Sequence, residues 1–250
     1  MSVKSAKRVI KIFELLSHHQ QGLTIKEVSE KLNVPQSSTF NLLKTLSTEG
    51  YVRQDMLKKY RLGEKLIPLG TIAMESLDIY SVGLPHLQKL METVQETIFM
   101  AVLSGNELVY IAKIDTNRSI RTSAQPGSKK PLYCTGLGKA FLAFLPEQTR
   151  EELLQSMEFR PITKKTIVNK EELITQLKQF NKNGYSIDDE ESEEGLYCLA
   201  APIFGSDRQI VAAISAAGPK ERMLSRKDFI TQQLMGSARK ISESIGYIEQ

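Results

Sequence analysis

The spacing of apolar residues predicts three short helices within the first fifty positions of the chain. In each segment a largely apolar side chain returns every three or four residues, which is the period of a helix with one buried face. The third segment begins after Pro35 and stops at Gly50, as helices often do. The three stripes are Val9, Ile12, Phe13 and Leu16; Ile25, Val28 and Leu32; and Thr39, Leu42, Leu43 and Leu46.

The residues between the second and third segments indicate a tight turn. Thr24 and Glu27 have the spacing of a capping box, which predicts that the second helix begins after Thr24. Asn33 tolerates the left-handed backbone conformation that a sharp turn requires. Two helices joined in this way predict a helix-turn-helix, whose second helix reads the DNA major groove.

A basic hairpin is predicted directly after the third helix. The run "YVRQDMLKKYRLG" places two short strands, Tyr51–Gln54 and Lys59–Leu62, around a turn. A hairpin in this position is the wing of a winged helix-turn-helix, although it looks short. Its basic residues are the expected contacts with the DNA backbone or minor groove: Arg53, Lys58, Lys59 and Arg61.

The third helix opens with small polar side chains. Gln and Asn pair with adenine, and Ser bonds to a base or a phosphate. We expect Ser37 and Ser38 both to cap the helix and to contact phosphate. Phe40 either meets a thymine methyl group or packs on a neighbouring segment. The predicted DNA contacts on this helix are Gln36, Ser37, Ser38, Phe40, Asn41 and Lys44.

Charge is distributed unevenly along the chain. Residues 1–65 contain 12 Lys and Arg against 6 Asp and Glu, whereas the remaining residues contain 21 against 23. A basic front segment favours a polyanion as partner, and a solvated basic face is the alternative.

The rest of the sequence predicts an α+β fold. An antiparallel sheet is expected from apolar runs at 97–103, 107–115, 119–124, 197–204 and 209–218, with a shorter strand at 185–192. Helical patterns flank these strands, and a further helix at 66–80 would connect the two parts. We therefore predict a winged helix-turn-helix at 1–65, a linker helix at 66–80 and a second domain at 81–250.

Several function classes receive no support. No apolar run is long enough to cross a membrane, so a cytoplasmic protein without a membrane partner is expected. The two cysteines lie far apart, and no His/Cys cluster suggests zinc, so we predict neither a metal nor a cofactor. The run "TGLGK" lacks the upstream glycine of a phosphate-binding loop.

Three features of the second segment are candidates for ligand binding. Gly136 opens a helix whose free N–H groups favour an anion, unless the small residues there serve only for capping. Asp188 ends a strand before a solvated acidic run. Ser215 lies among small residues on one face of a strand, where either a ligand or a closely packed helix fits.

The order of elements and several long runs resemble the IclR family of bacterial transcriptional regulators. "GLTIKEVSEKLNVPQSSTFNLLKTLSTEGYV" and "YRLG" are similar to its winged helix-turn-helix. "PLYCTGLGKAFLA", "GYSIDDEESEEGLYCLAAPIF" and "AAISAAGP" are similar to its effector domain. The resemblance covers essentially the whole chain. It implies a GAF-like or profilin-like sensor of a small organic acid, a homodimer or a dimer of dimers paired through the first helices, and an inverted-repeat operator in double-stranded DNA.

The resemblance also implies a set of effector-binding positions. Lys130 stands where the best-known member has an apolar residue, and Ala217 replaces a serine, so a more anionic effector is inferred. The implied effector contacts are Thr122, Lys130, Gly136, Leu137, Asp188, Leu196, Cys198, Ser215 and Ala217.

The sequence thus predicts a DNA-binding regulator controlled by a small metabolite, and not an enzyme. An enzyme with a basic recruiting head would need a nucleophile and a base, and only Cys134 and Cys198 offer a thiol, with no histidine nearby in sequence. A module that uses the winged helix to bind other proteins is the other alternative.

Overall fold

The computed structural model describes residues 3–69, 79–116 and 124–249. The chain forms two compact units, residues 1–76 and residues 77–250. The predicted linker helix at 66–80 lies partly outside the described residues, although 66–69 are helical. Thr122 and most of the predicted strand at 119–124 also lie outside them.

The first unit contains three helices and a hairpin. Its elements are α1 (Lys4–Ser17), α2 (Ile25–Leu32), α3 (Gln36–Thr48), β1 (Val52–Gln54) and β2 (Tyr60–Leu62).

Most boundaries predicted within this unit are confirmed, although each strand begins one residue later than predicted, at Val52 and Tyr60. The capping box of α2 forms with both of its hydrogen bonds, between Thr24 and Glu27. Asn33 has a φ of 52°, in the left-handed region. Leu23 and Tyr60 exchange backbone hydrogen bonds of 3.0 and 2.7 Å, which tie the hairpin to the start of α2. The predicted stripes meet in one core, with Ile12, Leu16, Val28, Leu43 and Leu46 fully covered.

The second unit contains a six-stranded antiparallel sheet. The strands are β3 (Thr97–Ser104), β4 (Glu107–Ile114), β5 (Lys129–Lys130), β6 (Ser186–Asp189), β7 (Leu196–Phe204) and β8 (Ile210–Pro219). Their order across the sheet is β5-β4-β3-β8-β7-β6. The short β5 lies in the run "QPGSKKPLYC", whose composition predicts a loop, and it pairs with Leu108 and Val109 of β4.

Helices cover both faces of this sheet, so the α+β fold predicted for this part of the chain is confirmed. The helices are α4 (Ile79–Val94), α5 (Gly136–Phe144), α6 (Glu147–Ser156), α7 (Lys170–Asn183), α8 (Lys220–Ser225) and α9 (Lys227–Ser244). One core packs α5, α6 and α7 against the first face, and the other packs α4 and α9 against the second.

Two helices differ from their predicted extents. The structure places Pro85 inside α4, whereas the apolar pattern of Leu84, Leu87, Leu90, Met91 and Val94 predicts a helix that starts at Leu84. Pro85 is the seventh residue of the described helix and has no backbone N–H to donate within it. The last predicted helix is preceded by the separate short helix α8, which no periodicity indicated because it spans only 6 residues.

Glycine allows α5 to approach its neighbours closely. A Cβ atom on Gly138 would lie 2.4 Å from the backbone Cα and O of Leu132. Such a contact forces the backbone to move, because neither partner is a flexible side chain. The absence of a side chain at Gly138 therefore allows the start of α5 to pack closely against the preceding segment.

We predict that Gly138→Ala lowers the free energy of unfolding by about 1–3 kcal/mol or more, the cost of overpacking a core. Gly236→Ala is the matched control, since this helical glycine has nothing within 4 Å of a built Cβ. The control is expected to be neutral or to stabilise by up to about 1 kcal/mol. Urea unfolding followed by circular dichroism measures both, and equal effects would contradict the prediction.

Candidate functional site

The outward face of α3 is polar and open. Gln36, Ser37 and Asn41 are exposed, and Ser38 is partly buried. The prediction that Ser37 and Ser38 cap this helix is wrong, because Pro35 occupies the N-cap position and no side chain caps α3. Both serines lie inside the first helical turn. Their hydroxyl groups are therefore not required for capping.

Phe40 does not join the core of the first unit. Its side chain is 45% exposed. The Nζ atom of Lys44 lies 5.9 Å from the ring centroid. Phe40 is therefore not part of that core, and its ring lies on the same open face of α3 as Gln36 and Asn41.

The wing carries four cations in different environments. Lys58 is exposed and Lys59 is half-buried. Arg53 lies 3.6 Å from Glu64 in an exposed pair. Arg61 donates to Asp55 at 3.1 Å, which places its guanidinium against the turn of the hairpin. Lys58 and Lys59 are thus the cations nearest the tip of the wing.

The second unit contains a cavity of about 130 Å³ on the face of the sheet that α5 covers. Its wall combines apolar side chains with two thiols and a few polar groups. The residues that line it come from β3, β4, β5, α5, β6, β7, β8 and the loops between them, and they include Phe99, Tyr110, Lys130, Cys134, Thr135, Gly136, Leu137, Ile162, Asp188, Ser192, Glu193, Leu196, Cys198, Ser215 and Ala217.

Eight of the nine predicted effector positions line this cavity, and the ninth, Thr122, lies outside the described residues. The sheet brings them together because β7 and β8 are neighbours, with Cys198 opposite Ala217 and Asp188 opposite Cys198 on the next strand. Ser215 lines the cavity, and its strand also packs against α5, so both alternatives for Ser215 stay open.

The first residues of α5, Gly136 and Leu137, line the cavity. Thr135 is the N-cap, and its hydroxyl accepts from the N–H of Gly138 at 3.1 Å. The N–H groups of Gly136 and Leu137 precede this bond and have no acceptor within the helix. A Cβ on Gly136 would lie 3.3 Å from the Cβ of Cys198, so glycine keeps the helix start close to β7. Capping and an anion-favouring helix end thus coexist.

Asp188 is buried in the wall of the cavity. Its carboxylate accepts from the N–H of Glu191 at 2.8 Å, the N–H of Ser192 at 3.3 Å and the hydroxyl of Ser192. Burial raises the pKa of Asp188 above its ordinary value, and these hydrogen bonds offset only part of that rise. The carboxyl group is therefore easier to protonate than an exposed aspartate.

A buried ion pair behind the cavity was not predicted from the sequence. Lys139 on α5 is fully buried and pairs with Glu191, which we had assigned to a solvated acidic run. The amine also donates to the side chain of Gln176 at 3.0 Å. Burial raises the pKa of Glu191, while the neighbouring lysine lowers it. The pair ties the loop after β6 to the helix that opens the cavity.

Two thiols line the cavity but are poor nucleophiles. Burial raises the pKa of Cys134 to about 12. The pKa of Cys198 is also raised by burial, with Asp188 adding to the effect. Because the thiolate is the reactive form, both side chains act as small apolar groups.

The remaining wall residues were missed for two reasons. Phe99, Tyr110 and Cys134 look like ordinary core residues, and the T-shaped packing of the two aromatic rings at 5.3 Å fits that appearance. Ile162 and Ser192 lie in loops without periodicity. Only Thr135 had a signal, as the residue opening a helix.

Comparison with known proteins gives matches over both units. The family described as "IclR helix-turn-helix domain" matches residues 5–56, and "Bacterial transcriptional regulator IclR C-terminal" matches 71–243.

The chain belongs to the IclR family of bacterial transcriptional regulators. Family membership confirms the predictions of a DNA-binding regulator rather than an enzyme and of a winged helix-turn-helix joined to an antiparallel-sheet domain.

Individual IclR proteins match along most of the chain. The HTH-type transcriptional regulator KdgR of Escherichia coli K12 is 33% identical, covering 98% of this chain and 94% of its own length. The transcriptional repressor IclR of the same organism is 36% identical over 88% of this chain and 82% of its own length. The crystal structure of Thermotoga maritima IclR has a TM-score of 0.64 at 31% identity, covering 97% of this chain and 99% of its own.

Membrane spans and metal sites are both absent from the part of the chain that the structure describes. Within residues 3–69, 79–116 and 124–249, no helix combines the length and apolarity of a membrane span. The same ranges contain no group of three or more His, Cys, Asp or Glu side chains placed to hold a metal ion.

We predict that Lys139→Met destabilises the protein by about 3–5 kcal/mol at neutral pH, because it leaves Glu191 buried without its counter-charge. Restoring neutrality in Lys139→Met/Glu191→Gln should recover much of the loss. The penalty of the single variant should shrink near pH 4. A carboxyl group whose folded-state pKa is raised contributes stability below its unfolded pKa and loses it as pH rises. Urea unfolding at several pH values measures this, and a penalty independent of pH would contradict it.

Proposed function

We propose that this IclR-family protein is a homo-oligomeric regulator that reads an inverted-repeat operator and releases it when a small organic acid fills the cavity of the second unit. Repression is the direction of control that the name of the E. coli relative IclR supports. The observation that carries the effector proposal is the meeting of residues distant in sequence, from Lys130 to Ala217, around one cavity.

The polar groups of the cavity suit a carboxylate. The first N–H groups of α5, at Gly136 and Leu137, and the partial positive charge of a helix N-terminus favour an anion. Lys130 on β5 supplies a positive charge, and Ser215 supplies a hydroxyl donor. Asp188, when protonated, donates a hydrogen bond to the bound acid instead of repelling it.

The cavity sets the size and character of the acid. Its volume of about 130 Å³ is close to that of engineered protein cavities that admit benzene. We therefore expect an acid of about six to eight non-hydrogen atoms, by the same comparison. Glu193 also lines the cavity and opposes an anion, but its side chain is exposed and solvent screens its charge.

The first unit supplies the DNA contacts in this proposal. α3 places Gln36, Ser37, Phe40 and Asn41 where base edges are read, with Ser38 and Lys44 beside them, and the wing places Lys58 and Lys59 against phosphates. Arg53 and Arg61 are weaker candidates for contacts with phosphates, because each already lies near a carboxylate.

Effector control requires two states of the oligomer that differ in affinity for the acid. A ligand with equal affinity for both states shifts nothing, however tightly it binds. We place the transmitter in the chain between the units, in the linker predicted at 66–80.

Removal of wing charge and removal of base contacts should have different effects on operator binding. Lys58→Asn/Lys59→Gln is expected to weaken binding to all duplexes. It should also reduce the slope of log affinity against log salt by about 0.9 for each phosphate that the wing no longer neutralises. Asparagine suits position 58, where φ is 56°. Gln36→Ala/Asn41→Ala should instead change which operator is preferred, with a cost of about 1–3 kcal/mol for each base contact.

Fluorescence anisotropy with labelled duplexes, chosen from the protein's own genome by affinity selection, measures both effects across a salt series. If the two double variants behaved alike, the assigned orientation of α3 would be wrong. If the unaltered protein bound no duplex in a salt-dependent way, the role of the first unit would be rejected.

Lys130→Gln should weaken carboxylate binding by about tenfold or more, since a hydrogen bond to a charged group contributes roughly 1.5–3 kcal/mol. Lys129→Gln is the matched control, because its side chain pairs with Glu107 and does not line the cavity. A panel of small acids and their neutral amides is screened by thermal shift, and hits are tested for operator release. Equal effects of the two lysine variants, or equal binding of acids and amides, would contradict the proposal.

A further inference from the structure

Two apolar side chains protrude from the tip of the wing. Met56 is fully exposed and Leu57 is 76% exposed. They are adjacent and stand at the turn between β1 and β2, away from the core of the first unit. Single apolar residues on a surface need no explanation. A pair at the end of a projecting hairpin does, because it adds nothing to the fold.

The turn beneath this pair is held by other groups. The carboxylate of Asp55 accepts from the N–H groups of Leu57 and Lys59, both at 2.9 Å, and from the guanidinium of Arg61 at 3.1 Å. Backbone bonds from Lys58 to Asp55 at 3.0 Å and from Asp55 to Lys59 at 2.9 Å close the hairpin. The side chains of Met56 and Leu57 take no part in these bonds and are therefore presented on a preformed support.

The surroundings of the pair are cationic. Lys58 and Lys59 follow it directly, and the negative charge of Asp55 is offset by Arg61. Apolar side chains flanked by lysines match the minor groove, where phosphates border the stacked bases. Architectural DNA-binding proteins insert Met, Leu, Ile or Phe between base steps from this groove and bend the duplex.

We propose that Met56 and Leu57 form an apolar wedge that enters the minor groove at the flank of the operator and partly unstacks one base step. The inference rests on the proposed DNA-binding role of the first unit. Inserting the wedge requires the DNA to deform at one base step, so sequences that deform easily are preferred there. Flexible steps such as TA and CA/TG should be favoured at the wedge position, without any hydrogen bond to those bases.

The test compares Met56→Ser/Leu57→Ser with the swap Met56→Leu/Leu57→Met in the full-length protein, on an operator fragment selected by affinity. Bending is measured by energy transfer between dyes at the two ends of the duplex. Unstacking is measured by the permanganate reactivity of thymines, which itself locates the unstacked step along the duplex. Thermal unfolding checks that both variants fold, as expected for exposed positions.

The serine variant should lose the bend and the permanganate-reactive thymine, and it should bind about tenfold more weakly, a loss near 1.4 kcal/mol. Its salt dependence should be unchanged, because Lys58 and Lys59 remain. The swap variant should behave like the unaltered protein, since it keeps the apolar volume.

Several results would overturn the wedge. One is a straight duplex with the unaltered protein, and another is a bend that survives the serine substitutions. A third is a serine variant that changes the oligomer mass, measured by sedimentation, but leaves the DNA bend as it was. That result would assign the tip of the wing to contact with a second copy of the chain. Salt-sensitive binding of an unbent duplex would reject the wedge alone, whereas the absence of any duplex binding would reject the proposed function with it.

Discussion

The cavity depends on the close approach of α5 to its surroundings. Gly138 lets the helix touch the backbone at Leu132, and Gly136 lets its first turn lie against Cys198 on β7. A side chain at either position would push the helix away from the wall. The same approach makes Gly136 and Leu137, the first residues of the helix, part of the cavity wall.

The ion pair between Lys139 and Glu191 extends this constraint to the loop after β6. The two opposite charges are buried together. Lys139 lies one turn after the start of α5, and Glu191 lies three residues after Asp188. Thr163 and Thr166 hold the same loop from its other side, where they donate to the backbone carbonyls of Glu190 and Glu191 at 2.6 and 2.8 Å. The loop that follows Asp188 and carries Ser192 is thus held in place by contacts on both sides.

The first unit presents polar and charged side chains on its surface and also keeps a small apolar core. The stripe on α3 supplies Leu43 and Leu46 to the interior, while its other face is open to solvent. The bridge between Leu23 and Tyr60 fixes the hairpin beside the helices. The wing is therefore part of the folded unit, and its tip has a defined position relative to α3.

Local chemistry in the sequence determined most of the secondary structure. The capping box at Thr24, the left-handed residue Asn33 and the stop at Gly50 act over a few residues, so each was readable from its neighbours. The strand pattern of β7 and β8 was equally local. The effector positions came from resemblance to a family, and from residue chemistry only at Gly136, Asp188 and Ser215.

Tertiary structure decided what depends on contacts between distant segments. Lys139 and Glu191 each look like solvent-exposed residues in the sequence, and only the packing of α5 against the loop after β6 makes them a buried pair. Ile162 and Cys134 became parts of one wall for the same reason. Conversely, Ser37 and Ser38 were expected to cap α3, but the chain placed Pro35 at that position. A sequence shows which residues can cap a helix, form a turn or enter a core. The fold selects among them, because burial and charge pairing depend on partners far away in the chain.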